Sequence, residues 1–230
     1  GYTMVYGIAK MLNFAHGDVI MIGGYMAYFA AVQFGLPGGI AILAAMLICT
    51  LLGVLIERLA YRPLRQAASL AVLITAIGMS YFLQNGAMLA FSSTPKMFSS
   101  LVSFDWLTIR LGEMTIASET IVTVSVCVII MIGLTLLTQK TKLGKAMRAV
   151  SEDKGAAQLM GIHVDRTISA TFAIGSALAA IAGVLLCSTY PALTPTTGSM
   201  PGIKAFTAAV FGGIGSIPGA FLGGILLGVI

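Results

Sequence analysis

The sequence predicts an all-α membrane protein, a polytopic bundle of spanning helices in which some helices are broken or re-entrant. Of the 230 residues, 58% are hydrophobic and only 9% are charged, and the mean hydropathy is +0.98. A soluble domain carries roughly 25% charged residues, so this chain has too few charges to cover a water-facing surface. Long uncharged runs recur along it, several of them close to the roughly 20 apolar residues that a spanning helix needs.

Six runs with no charged residue are the candidate spanning elements. They cover residues 19–34, 38–56, 67–91, 120–138, 167–189 and 205–230. Spanning β-strands are a weaker alternative, because the runs are too long and lack the two-residue alternation of membrane barrels. The last run is interrupted by "GGIGSIPGA", residues 212–220, so we expect a broken helix there.

Basic residues set the predicted orientation. Segment 58–65 holds three arginines and segment 140–166 holds six lysines and arginines, which is nine of the thirteen basic residues in the chain. The positive-inside rule places both segments in the cytoplasm, and the two runs between them satisfy the parity of crossings. Segment 92–119 has no basic excess and is expected outside, with Trp106 as an interfacial anchor. The net charge of +5 therefore indicates topology and not nucleic-acid binding.

Cysteine spacing and absent motifs exclude several functions. Cys49, Cys127 and Cys187 all lie in apolar runs, without the paired spacing of a disulfide framework or a metal site. The sequence lacks both the G-x-x-x-x-G-K-[ST] nucleotide motif and the H-E-x-x-H metalloprotease motif. We expect no catalytic residue, no metal and no cofactor in this chain, which leaves an intramembrane enzyme as a weak alternative.

The stretch "LNFAHGD" directly precedes the first run and carries Asn13, His16 and Asp18. Asp18 or Asn13 can cap a helix that starts near Val19. The alternative is a broken helix whose free N–H groups and polar side chains line a substrate path, because irregular backbone at membrane depth is tolerated where it is buried or lines a cavity. A proton relay through His16 and Asp18 is a weaker alternative.

A second irregular stretch covers residues 189–206, where three prolines and two glycines forbid a continuous helix. An ordinary outer turn and a re-entrant half-helix on the outer side both fit this pattern. Hydroxyl groups of this stretch, and two amides of the run 67–91, complete the candidate substrate pathway: Thr194, Thr196, Thr197, Ser199, Gln84 and Asn85.

The charged segment 141–166 predicts a short helix in a cytoplasmic loop. Ser151 is a suitable N-cap, carboxylates in the following turn suit the helix dipole, and Gly161 can end the helix. A solvated connector needs neither caps at both ends nor an Ala-Ala pair, whereas a docking surface uses both. The candidate docking residues are Ser151, Glu152, Asp153, Gly155, Ala156, Ala157 and Gly161.

Five stretches spread over nearly the whole chain resemble the permease subunits of bacterial ABC importers for branched-chain amino acids, of the high-affinity LIV type. They are "LNFAHGDVIMIGGY", "IERLAYRPLR", "LITAIGMSYFLQN", "GKAMRAVSEDKGAAQLMGI" and "AVFGGIGSIPGAFLGG". The resemblance implies one permease domain over residues 1–230 in the bacterial inner membrane. Because the chain starts without Met and stops inside an apolar run, we expect both terminal parts of a longer protein to be missing.

The same resemblance implies partners and a substrate. The partners are a second, related permease, a periplasmic binding protein and two cytoplasmic ATPases that use ATP and Mg²⁺. Segment 152–160 would resemble the coupling helix that contacts an ATPase, although only Gly155–Ala157 and Gly161 match the longer Glu-Ala-Ala signature of other importers. The implied substrates are leucine, isoleucine and valine. Urea or short-chain amides are an open alternative, and a proton-coupled secondary carrier is disfavoured by the uncharged runs.

Overall fold

The computed structural model describes residues 1–65, 67–98, 109–111 and 114–230, and most of these residues are helical. The helices are α1 (Tyr2–Ala9), α2 (His16–Tyr28), α3 (Gly38–Ile56), α4 (Ser69–Phe91), α5 (Ser118–Lys140), α6 (Lys142–Glu152), α7 (Lys154–Leu159), α8 (Val164–Thr189), α9 (Ser199–Phe211) and α10 (Ile217–Val229). The short strands are β1 (Lys96–Met97), β2 (Ile109–Leu111), β3 (Met114–Ile116) and β4 (Ala192–Leu193). The predicted all-α fold class is confirmed.

Four of the described helices are long and apolar enough to cross a membrane. They are Gly38–Leu64, Ser69–Phe91, Ser118–Lys140 and Val164–Thr189. The first of these exceeds its predicted run, because α3 continues through a π-helical turn, Glu57–Tyr61, and a 3₁₀ turn, Arg62–Leu64. The run 205–230 is broken into α9 and α10 where the glycines and Pro218 predicted it. Trp106, the predicted interfacial anchor, lies outside the described residues.

Helix α8 is the central element, and it packs mainly against α2 and α3. Its most apolar stretch is 56% buried, whereas that of α5 is 0% buried. Small residues bring these backbones together: a Cβ at Gly23 would lie 2.6 Å from the Ala180 Cα, and one at Gly183 would clash with the Ile20 carbonyl oxygen. Side-chain size therefore limits the distance between α8 and α2, as is usual where helices associate in lipid.

Two helices begin inside the bundle and not at its edge. The backbone of Gly17, in the first turn of α2, touches Gly198, which precedes α9. Gly1, beside His16 at the start of α2, lies against the Gly175 carbonyl near the middle of α8. The N-termini of α2 and α9 therefore meet at about half the depth of the bundle.

Segment 194–211 corrects one sequence prediction. The chain turns inward after β4, which pairs antiparallel with β1 beyond the end of α4. Helix α9 then ends at a loop, residues 212–216, which shares a cavity with Thr138, Arg148 and Ser151 of the basic side. Helix α9 thus does not stay on the outer side, where one of the two sequence interpretations placed a re-entrant half-helix. The reason is that α9 pairs with α10 through Gly212, Gly219 and Gly223, so the reversal occurs at that glycine-rich loop.

Orientation is testable by cysteine labelling. With Cys127 replaced by alanine, we expect Gln158→Cys to resist an impermeant thiol reagent in intact cells, since α7 lies on the basic side. Thr94→Cys, an exposed position on the opposite side, should react readily. Labelling of Gln158→Cys with a silent Thr94→Cys would reverse the assignment, and labelling after permeabilisation controls for access.

Candidate functional site

The contact between the N-termini of α2 and α9 depends on glycine. A Cβ at Gly17 would clash with the Gly198 carbonyl oxygen and lie 2.9 Å from the Gly202 Cα. A Cβ at Gly198 would clash with the Gly17 carbonyl oxygen. Only residues without side chains allow this approach, which brings the first turns of α2 and α9 into close backbone contact. Such helix ends favour negative charge.

One amide connects three helices at this point. The Gln84 Nε2 of α4 donates to Asp18 Oδ1 of α2 at 2.9 Å, and it lies 3.2 Å from Ser80 Oγ and 3.3 Å from Ser199 Oγ of α9. Because a carboxamide has two N–H hydrogens, three acceptors must share them. The hydrogen bonds are therefore exchangeable, and we call Asp18, Ser80, Gln84 and Ser199 the polar cluster.

Asp18 is a carboxylate deep inside the bundle, with 1% of its surface exposed. Burial of an acidic group at membrane depth is costly, and such groups are normally hydrogen-bonded and functional. In the first turn of α2, the positive end of the helix dipole offsets part of the cost of burying this carboxylate. Asp18 can therefore hold a cation that reaches the polar cluster.

The capping prediction for Asp18 and Asn13 is wrong. Helix α2 starts at His16, earlier than predicted, and its N-cap is Ala15 without a side-chain cap. Asn13 Oδ1 instead accepts from the hydroxyl of Tyr61 at 2.9 Å, so it joins the loop before α2 to the end of α3. Both side chains are used for contacts with other helices, which a local capping rule does not consider.

His16 lies apart from Asp18. Its ring contacts Tyr2 edge to face, with 5.9 Å between ring centroids, and its Nε2 faces the backbone of Gly1. Residues two apart on a helix do not face each other. The structure therefore does not bring His16 and Asp18 together as a relay. The described part of the chain also contains no group of three His, Cys, Asp or Glu side chains that could hold a metal ion.

The remaining pathway candidates separate into two groups. Thr194, Thr196 and Thr197 form a turn before α9, in which the Thr194 N–H donates to Thr197 Oγ1 at 2.8 Å and the hydroxyls lie 3.0–3.3 Å apart. Asn85 donates to the Tyr81 carbonyl of its own helix at 2.8 Å, on an exposed face of α4. Of the predicted pathway residues other than Asn13, His16 and Asp18, only Gln84 contacts Asp18, and only Ser199 contacts the side chain of Gln84.

Three residues that make the polar contacts between helices were absent from the sequence prediction. Ser80 lies one helical turn before Gln84, so the i, i+4 spacing of two polar residues in an apolar run was the available signal. Tyr61 and Glu57 gave no such signal, because they lie in a basic segment that resembles a loop. In the structure Glu57 is fully buried, accepts from Ser169 Oγ at 2.6 Å and pairs with Arg65.

The helix pair α6 and α7 corrects a second capping prediction. Ser151 is not an N-cap: it lies in α6 and donates to the Arg148 carbonyl at 2.7 Å. Asp153 caps α7, accepting from the backbone N–H groups of Gly155 at 2.7 Å and Ala156 at 3.0 Å. Glu152 ends α6. Helix α6 continues this far because Met147 and Val150 are buried on one face.

Helix α7 presents large apolar side chains to solvent. Ala157 is buried against the bundle, whereas Leu159 is 91% and Met160 is 83% exposed. Gly161, with φ of 81°, ends the helix as predicted and leads directly into α8. Lys154 Nζ donates to the Ala9 carbonyl at 3.2 Å, and burial, with Arg65 and Lys10 nearby, lowers the pKa of Lys154. Helix α7 is thus fixed to the bundle on one side and open on the other.

Comparisons with known proteins identify similar chains. The family model described as branched-chain amino acid transport system, permease component, matches residues 1–230. The chain is 46% identical over 239 residues to the high-affinity branched-chain amino acid transport system permease protein BraD of Pseudomonas aeruginosa, covering 100% of this chain and 78% of BraD. It is 45% identical over 242 residues to LivH of Escherichia coli, with the same coverage, and 31% identical to a probable LivH of Methanocaldococcus jannaschii, covering 73% of that protein. No solved structure matches.

Proposed function

The chain belongs to the family of branched-chain amino acid transport permeases, and from this we propose that it forms the membrane pathway for leucine, isoleucine and valine in an ATP-driven importer. It acts as one permease domain over residues 1–230, a length that the family match covers. ATP and Mg²⁺ are bound by separate cytoplasmic ATPases. A second permease and a periplasmic binding protein complete the importer in the bacterial inner membrane.

The observation that carries the pathway proposal is the polar cluster at the meeting of two broken helices. An amino acid presents an ammonium and a carboxylate, and this site offers complements to both. The Asp18 carboxylate receives the ammonium. The positive ends of the α2 and α9 helix dipoles attract the carboxylate, as helix N-termini do for anions. Because Asp18 is buried, this conformation is closed, and transport requires the cluster to open.

The substrate's apolar side chain needs a dry environment beside the polar cluster. Phe206 of α9 packs on Phe14 and Tyr2, with ring centroids 5.8 and 5.6 Å apart, on the cytoplasmic side of the cluster. Apolar surface of this kind suits leucine, isoleucine and valine better than urea, which has no apolar part. This supports the branched-chain substrates over urea.

Coupling to ATP hydrolysis proceeds through α7. Its exposed Leu159 and Met160 offer an apolar anchor for an ATPase, a kind of contact that dominates interface energy when desolvated. Helix α7 leads into α8, and α8 packs on α2 with near backbone contact at Ala180 and Gly183. A displacement of α7 therefore reaches the helix that carries Asp18.

The proposal is tested by reconstituting the complex in proteoliposomes with its ATPases and binding protein. We expect leucine uptake to require ATP and the binding protein, to be competed by isoleucine and valine but not by urea, and to persist when a protonophore collapses the proton gradient. Uptake that needs no ATPase and stops with the protonophore would instead identify a secondary carrier. Competition by urea or acetamide would identify an amide importer.

A further inference from the structure

A large open cleft lies at the cytoplasmic ends of α3 and α8, beside α7. Its volume is about 1040 Å³, and five cationic side chains line it: Arg58, Arg62, Arg65, Lys154 and Arg166. Asp165 is the one carboxylate among the described lining residues. The cleft is therefore strongly positive, and none of the substrate steps above uses it.

Internal pairing neutralises only part of this charge. Arg62 pairs with Asp165 at 2.7 Å, and Arg65 pairs with both Asp165 and the buried Glu57. Among the ion pairs of the described residues, none involves Arg58 or Arg166, and both are exposed. These two guanidinium groups are thus available to an anionic ligand, with Lys154 on the same rim.

The deeper wall of the cleft is apolar. Val54 of α3 and Ala170 and Ala173 of α8 line it, so both spanning helices give the cleft an apolar surface. Leu55 of α3 and Leu59 of the π-helical turn that follows it are 52% and 69% exposed at the same level. Exposed leucines on a spanning helix face lipid, so the cleft opens at the boundary between the bilayer and the cytoplasm.

We propose that this cleft binds an anionic phospholipid, with the headgroup phosphate between Arg58 and Arg166 and an acyl chain along the apolar wall. Basic pockets between spanning helices on the cytoplasmic side are suited to anionic lipid headgroups. An acidic segment of an ATPase would match the charge but not the apolar wall, and a free phosphate would leave that wall uncovered. A lipid matches both the positive charge of the cleft and its apolar wall.

The location gives the bound lipid a defined effect. It would bridge the end of α3 and the start of α8 directly beside Gly155 and Gln158 of α7. A lipid in this position holds the three elements together and so supports the coupling of α7 to the bundle. This effect on coupling rests on the proposed function, whereas lipid binding itself does not.

The test measures lipid retention by the purified permease complex with native mass spectrometry, after exchange into nanodiscs of phosphatidylcholine with or without cardiolipin. Arg58→Gln/Arg166→Gln should lower cardiolipin retention roughly tenfold or more, since each basic residue near an anionic lipid contributes measurably. Lys142→Gln/Lys145→Gln, which removes two exposed charges of α6 outside the cleft, should retain it. Arg58→Lys/Arg166→Lys should also retain most of it.

Several outcomes would overturn the proposal. These are equal retention by the Gln pair and the parent, and cardiolipin retention unchanged while ATPase co-purification falls. A cross-link from Arg58→Cys to the second permease, with no lipid bound, would assign the cleft to a protein interface. The single variants Arg58→Gln and Arg166→Gln provide the same readout if the pair assembles poorly. Because retention is measured without transport, a failure here leaves the proposed function unaffected.

Discussion

Asp18→Asn is expected to reduce leucine uptake by roughly 100-fold while the complex still assembles. Asparagine keeps the size of the side chain and an oxygen that can accept from Gln84, so the helix contacts persist. It removes the charge that would pair with the substrate ammonium in a buried site, a change that costs about 3 kcal/mol. The measurement is the initial rate of ATP-dependent uptake in proteoliposomes at equal amounts of assembled complex.

Two further variants separate a binding role from a structural one. Gln84→Leu removes the shared donor and should lower uptake less, by roughly tenfold, because it leaves the buried Asp18 without its hydrogen bond. Asn85→Leu changes the adjacent amide, which faces outward on α4, and should leave uptake unchanged. Parent-like uptake by Asp18→Asn would remove Asp18 from the pathway. Equal losses in Gln84→Leu and Asn85→Leu would indicate that α4 is generally sensitive to substitution.

Ala156→Trp is expected to weaken association of the ATPases by roughly tenfold or more. Ala156 is exposed on α7, so the helix itself tolerates the larger side chain. A packed contact with a partner does not absorb that volume, at a cost of about 1–3 kcal/mol, and about 1.4 kcal/mol corresponds to a factor of ten. Co-purification of the ATPases with membrane-inserted variant and transport-coupled ATP hydrolysis both report the effect.

The matched control for this variant is Ala67→Trp. It introduces the same side chain at an exposed alanine on the same side of the membrane, in the loop between α3 and α4. ATPase association should be preserved there. If Ala156→Trp binds the ATPases and couples hydrolysis as well as Ala67→Trp does, then α7 is only a connector between α6 and α8.

The sequence was sufficient for the fold class and for the position of the helix breaks. The scarcity of charged residues indicates that lipid surrounds the chain, which predicts spanning helices. The glycines and prolines of residues 189–218 interrupt helices where they stand, so the breaks are predicted from the sequence as well. The direction of α9 was not readable in this way. It depends on which glycine surfaces of α9 and α10 meet, and that contact is tertiary.

The site was predicted only in part, because its contacts are also tertiary. Asn13, Asp18 and Gln84 were all identified as candidates, but local rules assigned capping to residues that instead bond to other helices. Ser151 and Asp153 are both good caps, and the burial of Met147 and Val150 decides between them. Glu57 directly follows the uncharged run 38–56, so the sequence suggests only the end of a span. The ion pair between Glu57 and Arg65 forms through the π-helical turn between them, which the sequence does not show.

Helix α8 can pivot as a rigid rod about its tightly packed region, from Ser176 to Gly183. The part from Val164 to Ser176 is about 18 Å long and the part from Gly183 to Thr189 is about 9 Å long, at about 1.5 Å per residue. A tilt of about 5° would move the inner end by about 1.6 Å and the outer end by half as much, a shift typical of packed helices. Through β4 and its partner β1, that outer shift reaches the end of α4, the helix that carries Gln84. One rigid rod would thus transmit a push at the ATPase side to the polar cluster by two routes, directly through α2 and around the outside through α4.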